Sequence, residues 1–278
     1  MRAIIDEKQR TANRMRAARL DVAGADFLLV HALEDLVDRI AMTARTFDRV
    51  LAIGPHAARV AHALSAIDKT GLVDAVAFDA GDTLNAPETS ADLAISMLDL
   101  HEVNDVPGAL VQIRRALRPD GLMLACVPSS GTLAELRDSL TGAEMMVAGG
   151  AAPRILPFMD VRDAGGLLQR AGFAMPVADH DSVTVRYDTA FDLMRDLRAM
   201  GATNSLIARP RHFTRRALLL ETARLYAERH ADSDGRVRAT FSFVWMSGWA
   251  PDASQPQPLK PGSATRSLAE ALRPKRSS

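Results

Sequence analysis

The chain has a single cysteine, Cys126, in 278 residues. No disulfide framework can form, and a reducing compartment fits. Lysine is scarce, present only as Lys8, Lys69, Lys260 and Lys275, so arginine carries nearly all the basic charge. Formal net charge is zero, which gives the whole chain no electrostatic case for nucleic acid or a membrane surface. Apolar runs are short, Phe27 to Val30 being among the longest, and none approaches a membrane span. There is no G-x-S-x-G elbow, no P-loop and no H-E-x-x-H helix. His, Asp, Glu and Cys show no metal-ligand spacing. No internal repeat is visible.

What is there is an alternation of strands and helices. Residues 1–20 carry a net charge of +4 and no apolar core, so they read as a solvated helix and not as a secretory signal. Asp6 and Glu7 argue against a transit peptide, which is poor in acids. Residues 6–44 read as two helices, the second with Phe27, Val30, Leu33, Leu36, Val37, Ile40 and Ala41 at helical spacing. Phe47 to Ile53 reads as a strand ending at Gly54, followed by a helix at 56–67 and a strand at 71–78. After a polar loop, Asp92 to Met97 is a strand. A helix led by Pro107 follows, where a missing N–H is harmless. An Arg118-Pro119-Asp120-Gly121 turn and a strand at Leu122 to Val127 come next. Thr132 and Glu135 form a capping-box pattern. Further helices are expected at 160–172, 189–200 and 214–230, with strands at 183–187 and 237–249. In the last, Val237, Ala239, Phe241, Phe243 and Trp245 alternate with polar residues, so one buried face is expected. The organisation expected is N-terminal helices over 1–45, an α/β domain over 46–250 with a helical insertion at 189–230, and a Pro/Ser-rich basic tail over 251–278 that is largely disordered.

This order predicts an open, mostly parallel α/β sheet with an antiparallel last strand. Ligands of such sheets bind beyond the carboxyl ends of the strands at the switch point. Gly54 and the segment Leu98 to His101 should therefore line any pocket.

Several segments go beyond a fold class. They are LHEVNDVPGALVQIRRALRPDGL (100–122), GTLAELRDSL (131–140), GGAAPRILPFMDVRDAGGLLQRAGF (149–173), DLRAMGATN (196–204) and QPLKPGSATRSLAEAL (257–272). They resemble the methyltransferase-fold family of mitochondrial complex I assembly factor five and its bacterial relatives. That family is similar in turn to the biotin-pathway malonyl-carrier-protein O-methyltransferases. The resemblance spans residues 6–272. It implies a Rossmann-like class I methyltransferase sheet, S-adenosylmethionine as cofactor and a protein partner, such as a respiratory complex I subunit. The activity implied is methyl transfer, or the arginine hydroxylation ascribed to the mitochondrial member, or assembly without catalysis. The family pattern begins in the first helix, which leaves no room for a presequence. A bacterial cytoplasmic location is expected, with attachment to the inner membrane only through a partner.

The resemblance assigns candidate residues. Cofactor-facing candidates are Gly54, His56, Asp79 (or Asp74) at the end of the second strand, Leu98 and His101. Asp99 and His101 are catalytic candidates, although a structural hydrogen-bonding role is the more frequent case for such side chains; Asn104 lies just beyond them. Substrate-facing candidates are Glu135, Arg137 and Arg154, against capping and surface readings for the first two.

The chain also departs from the family. Its turn reads VLAIGPHAA where the family has V-L-D-x-G-x-G-x-G, so Ala52, His56 and Ala58 replace an acid and two glycines. Glu102 stands in place of Trp, and Ser129-Ser130 in place of a Gly pair. The stretch from Gly54 to Asp92 is short, so either one βα unit is missing or two strands have merged.

Overall fold

The structure, a computed structural model, describes residues 3–256. Of the tail expected over 251–278, residues 257–278 lie outside the described residues. Two helices come first, α1 (Glu7–Leu20) and α2 (Phe27–Met42). Asp6 caps α1 by accepting from the Gln9 N–H at 3.2 Å. The chain then alternates β1 (Phe47–Ile53), α3 (Ala57–Leu64), β2 (Thr70–Val76), β3 (Ala91–Met97), α4 (Val106–Ala116), β4 (Leu117–Pro128), α5 (Ala134–Ala148) and α6 (Val161–Arg170). It ends with β5 (Ala174–Tyr187), α7 (Ala190–Ala199), α8 (Arg216–His230) and β6 (Val237–Trp249).

The six strands form one sheet in the order β2-β1-β3-β4-β6-β5. β2, β1, β3 and β4 are parallel, and β6 is antiparallel to both its neighbours. β1 sends the chain one way to β2 and then back across itself to β3, so the switch point lies between β1 and β3. β2 and β3 flank β1 separately. The short stretch is thus a missing βα unit at the β2 edge, not a merger of two strands.

Side-chain alternation explains the apolar runs. Val50 and Ala52 of β1 face one layer with α2 and α3, while Leu51 and Ile53 face the other with α4 and α6. With helices on both faces, both sets of side chains are buried. The same reason corrects the reading of β6. Phe241, Phe243 and Trp245 enter one layer, and Val244 and Met246 are equally buried in the other.

Local differences also have causes. The Arg118–Gly121 tetrapeptide is absorbed into β4, with Asp120 at φ 59° and a register shift between Ala91 and Leu93. α2 is turned relative to expectation, so Leu29 and Ala32 are buried while Val30 is exposed. Thr132 and Glu135 do not make a capping box. The Thr132 hydroxyl donates to the Ser242 carbonyl at 2.6 Å, and Glu135 accepts from the Thr240 N–H at 3.2 Å. Both side chains therefore stitch α5 to β6.

Candidate functional site

A cavity of about 690 Å³ opens at the carboxyl ends of β1 and β3. Pro55 and His56 follow β1 into its wall, and Leu98 and His101 follow β3. The roof is α1 together with the loop after α7. Two wall residues hold backbone conformations unusual for leucine: Leu98 at φ 49° and Leu133 at φ 56°. Each is held by a backbone bond, Leu98 N–H to the Cys126 carbonyl at 2.8 Å and Leu133 N–H to the Thr240 carbonyl at 2.7 Å. Such conformations cost about 1–3 kcal/mol each and tend to gather at functional sites.

The charged centre is built from three elements. Arg14 of α1 places one nitrogen, Nη2, between Asp99 Oδ1 at 2.7 Å and Glu102 Oε2 at 2.8 Å. Both carboxyl groups are nearly buried, at 7% and 11% side-chain exposure, and Arg14 is at 32%. Burial works against the arginine's charge, but Asp99 and Glu102 outweigh it and its pKa is raised. Arg10 adds a bond from Nη1 to the Glu102 carbonyl at 2.6 Å, and Ser205 Oγ donates to Glu102 Oε1 at 3.0 Å. Gly54 explains how Asp99 fits. Its φ is 98°, and a Cβ there would lie 2.5 Å from Asp99 Oδ2. The glycine makes room for a neighbouring carboxyl group.

Two histidines border this centre, and burial lowers the pKa of each. For His56 the Arg14 charge adds to the effect; for His101 the nearby carboxylates oppose it. His101 Nδ1 is sealed from solvent and has no hydrogen-bond partner among the described residues. Its ring lies 5.9 Å from that of Phe158. Phe158 and Leu156 also border a second groove of about 720 Å³, which holds Arg137.

The structure thus brings His56, Leu98, His101 and, behind Gly54, Asp99 together. The other candidates lie elsewhere. Asp79 turns back on its own loop, where Oδ1 accepts from Gly81 and Thr83 N–H groups at 2.8 and 2.9 Å. Those bonds hold its pKa down. Its alternative, Asp74, pairs with Arg49 at 3.0 Å. Glu135 is committed to Thr240, and Arg154 is locked to Glu144 at 2.6 Å and Thr214 at 3.0 Å. Asn104 anchors the N-terminal segment, its Oδ1 accepting from Ile4 and Ile5 N–H groups at 2.9 Å. Arg14 was absent from the sequence reading, which treated α1 as a solvated helix. The available signal was the four-residue spacing of Arg10 and Arg14, which puts both on one helix face.

Among relatives of known name, the chain is 36% identical over 269 residues to the zebrafish protein "Arginine-hydroxylase NDUFAF5, mitochondrial", covering 90% of this chain and 84% of that protein. The chain belongs to the NDUFAF5 family. The human NDUFAF5 protein is 43% identical over 183 residues, 66% of this chain and 53% of its own length. A malonyl-[acyl-carrier protein] O-methyltransferase of Xylella fastidiosa is 36% identical over 61% of this chain and 55% of its own. A family model described as "Methyltransferase domain" matches residues 36–125. In structure the chain is similar to YcgJ of Bacillus subtilis, with TM-score 0.53 and 13% identity over 80% of this chain and 99% of that one. It is also similar to BH2331 of Bacillus halodurans, assigned as a methyltransferase, with TM-score 0.50 and 12% identity over 79% and 99%. The fold of this NDUFAF5-family chain is therefore a Rossmann-like class I methyltransferase sheet.

The comparisons correct one expectation. A bacterial cytoplasmic location does not stand beside NDUFAF5 relatives from zebrafish, Dictyostelium and human that are all mitochondrial proteins. Among the described residues, no helix is long and apolar enough to cross a membrane.

The fold family implies S-adenosylmethionine, and the cavity fits only part of it. Gly54, the turned backbone at Leu98 and the Arg14 cluster suit the amino-acid end. The ribose end lacks its usual carboxylate, because Asp79 faces its own loop and no β2 side chain reaches the cavity.

Proposed function

We propose that this chain modifies a protein partner at the cavity beyond β1 and β3, as an S-adenosylmethionine-dependent methyltransferase. The observation that carries the reading is the pairing of a strained, half-enclosed cavity with a buried Arg14–Asp99–Glu102 cluster at the switch point of a methyltransferase sheet. When bound, the cofactor would supply a methyl group on a sulfonium. The chain's own contribution would be positioning and electrostatics. Glu102 would place negative charge beside the cation, while Leu98 and Leu133 shape the walls and Phe158 separates the cavity from the outer groove. Arg137 in that groove would meet the partner's backbone or an acidic side chain. His101, held neutral by burial, would accept or donate a hydrogen bond at Nδ1. The partner suggested by the family is a respiratory complex I subunit.

A second reading is favoured by the missing βα unit and the averted Asp79. In it the family fold serves assembly without methyl transfer, or carries the arginine hydroxylation named for NDUFAF5. Calorimetric titration with S-adenosylmethionine and S-adenosylhomocysteine tests the first reading. Micromolar binding, about −8 kcal/mol, supports it. No heat and no thermal shift at millimolar ligand would leave the second reading in its place.

A further inference from the structure

We propose that Arg14 and Glu102 form a receptor for an α-amino-acid zwitterion, with Arg14 taking the ligand's carboxylate and Glu102 its ammonium. Asp99 is a positioning residue that holds Arg14 from behind. The proposal deepens the cofactor reading at its amino-acid end and would also serve a free amino acid.

The argument begins with unused hydrogen-bonding capacity. A guanidinium has five N–H donors in a planar fork. Only Nη2 of Arg14 is engaged, by Asp99 and Glu102. Nε and Nη1 have no partner among the described residues, yet they are not sealed, and Arg14 lines the cavity. A carboxylate suits that open edge, because two parallel N–H groups match its two oxygens. Glu102 also lines the cavity. Its two oxygens receive one donor each, from Ser205 and Arg14, and a carboxylate can accept about four. The cluster sets two acidic side chains, Asp99 and Glu102, against Arg14, with Arg10 held at the Glu102 carbonyl. The unused acceptor capacity of Glu102 suits an ammonium beside the carboxylate, so a zwitterion is served at both ends. A second polar atom points to a ligand as well: His101 Nδ1 is buried without a partner on the same wall. No side chain of β2 reaches the cavity. Recognition of a ligand there falls on the amino-acid end.

The test compares three probes by calorimetry. S-adenosylhomocysteine carries both the nucleoside and the amino acid, 5′-methylthioadenosine carries only the nucleoside, and S-methylmethionine carries only the amino acid. The variants are Arg14→Ala, Arg14→Lys and, as a control for the seating of α1, Arg209→Ala, which removes the bonds to Asp6 and Gln9 outside the cavity. Arg14→Ala is expected to weaken S-adenosylhomocysteine and S-methylmethionine about 10- to 100-fold, the range for a charge-assisted contact. It should leave 5′-methylthioadenosine unchanged. Arg14→Lys should recover part of the loss, and Arg209→Ala should alter none of the three. A loss shared equally by 5′-methylthioadenosine, as from a collapsed cavity, overturns the proposal. So does Arg14→Ala binding S-adenosylhomocysteine as tightly as the natural chain. Natural protein that binds 5′-methylthioadenosine as well as S-adenosylhomocysteine overturns the receptor while the cofactor reading stands. Binding of S-methylmethionine through Arg14, with neither nucleoside bound, supports the receptor and removes the cofactor reading. Binding of none of the three overturns both.

Discussion

Replacing Gly54 with alanine tests the structure where the turn after β1 meets the charged centre. Two costs add. The first is backbone strain: φ is 98°, where an L side chain is disfavoured by about 1–3 kcal/mol. The second is overlap. The new Cβ would stand 2.5 Å from Asp99 Oδ2, 2.9 Å from Cγ and 3.0 Å from Cβ. Asp99 cannot swing aside freely, because its other oxygen is held by Arg14 at 2.7 Å. Overpacking of this kind costs about 1–3 kcal/mol. Gly54→Ala should therefore lose about 2–6 kcal/mol in urea unfolding. The overlap part, unlike the strain, depends on Asp99. In an Asp99→Ala background the Oδ2 and Cγ contacts vanish, so the cost of Gly54→Ala should shrink by roughly 1 kcal/mol or more, measured as a double-mutant cycle. A loss under about 0.5 kcal/mol, within the range of a neutral substitution, or an equal loss in both backgrounds, would refute the reasoning. The glycine would then be present for some reason other than its neighbour.

Other outcomes follow from the same geometry. Arg154→Ala leaves Glu144, at 4% side-chain exposure, without its cation and with only the Ala152 N–H as a partner. Thermal unfolding should report a loss of about 3–5 kcal/mol, while ligand binding at the β1–β3 cavity stays as it was. Asp79→Asn should leave S-adenosylhomocysteine affinity unchanged in calorimetry, since its carboxylate serves only Gly81 and Thr83; an abolished affinity would mean that this loop opens toward the ligand. His56 and His101 have folded-state pKa values below the ordinary histidine value. The unfolded chain therefore binds more protons as pH falls through about 6.5, and stability falls with it, by up to about 1.4 kcal/mol per pH unit for each histidine. Denaturant titrations between pH 7.5 and 5 should show that decline, and His101→Gln should reduce its slope.

The inner strands were readable because they are packed on both faces, whereas β5, half-exposed along its length, was read only over 183–187 of Ala174–Tyr187. Runs such as Val50 to Ile53 and Leu122 to Val127 are apolar at every position, and turn residues bound them. Asp6 and Asp160 stand where helices were expected to begin, and each side chain satisfies an N–H three residues on. What failed to show was anything decided by distant partners. Glu135 three residues after Thr132 has the form of a cap, yet both side chains reach β6, more than a hundred residues away. Arg154 in a Gly/Pro-rich loop has the look of a free cation, and only the fold brings Glu144 beneath it. Arg14 sits on a helix with almost no apolar face, so periodicity offers no hint that one of its arginines turns inward. Asp79 lies three residues past the end of β2, in a loop whose own N–H groups at Gly81 and Thr83 take up its carboxylate.

The roof of the cavity also has consequences for how the chain becomes competent. Ile4 and Ile5 are tied to Asn104, Arg14 to Asp99, Asn13 to Thr203 and Asp6 to Arg209, across separations of 85 to 203 residues. Contacts so distant in sequence are slow to form, because their loop-closure entropy must be met before they contribute. During synthesis α1 emerges first and waits for the Ala202–Arg209 segment, so the sheet can assemble while its mouth is still unroofed. Any ligand that needs the roof binds only a finished molecule, and its binding would in turn favour completion of the fold.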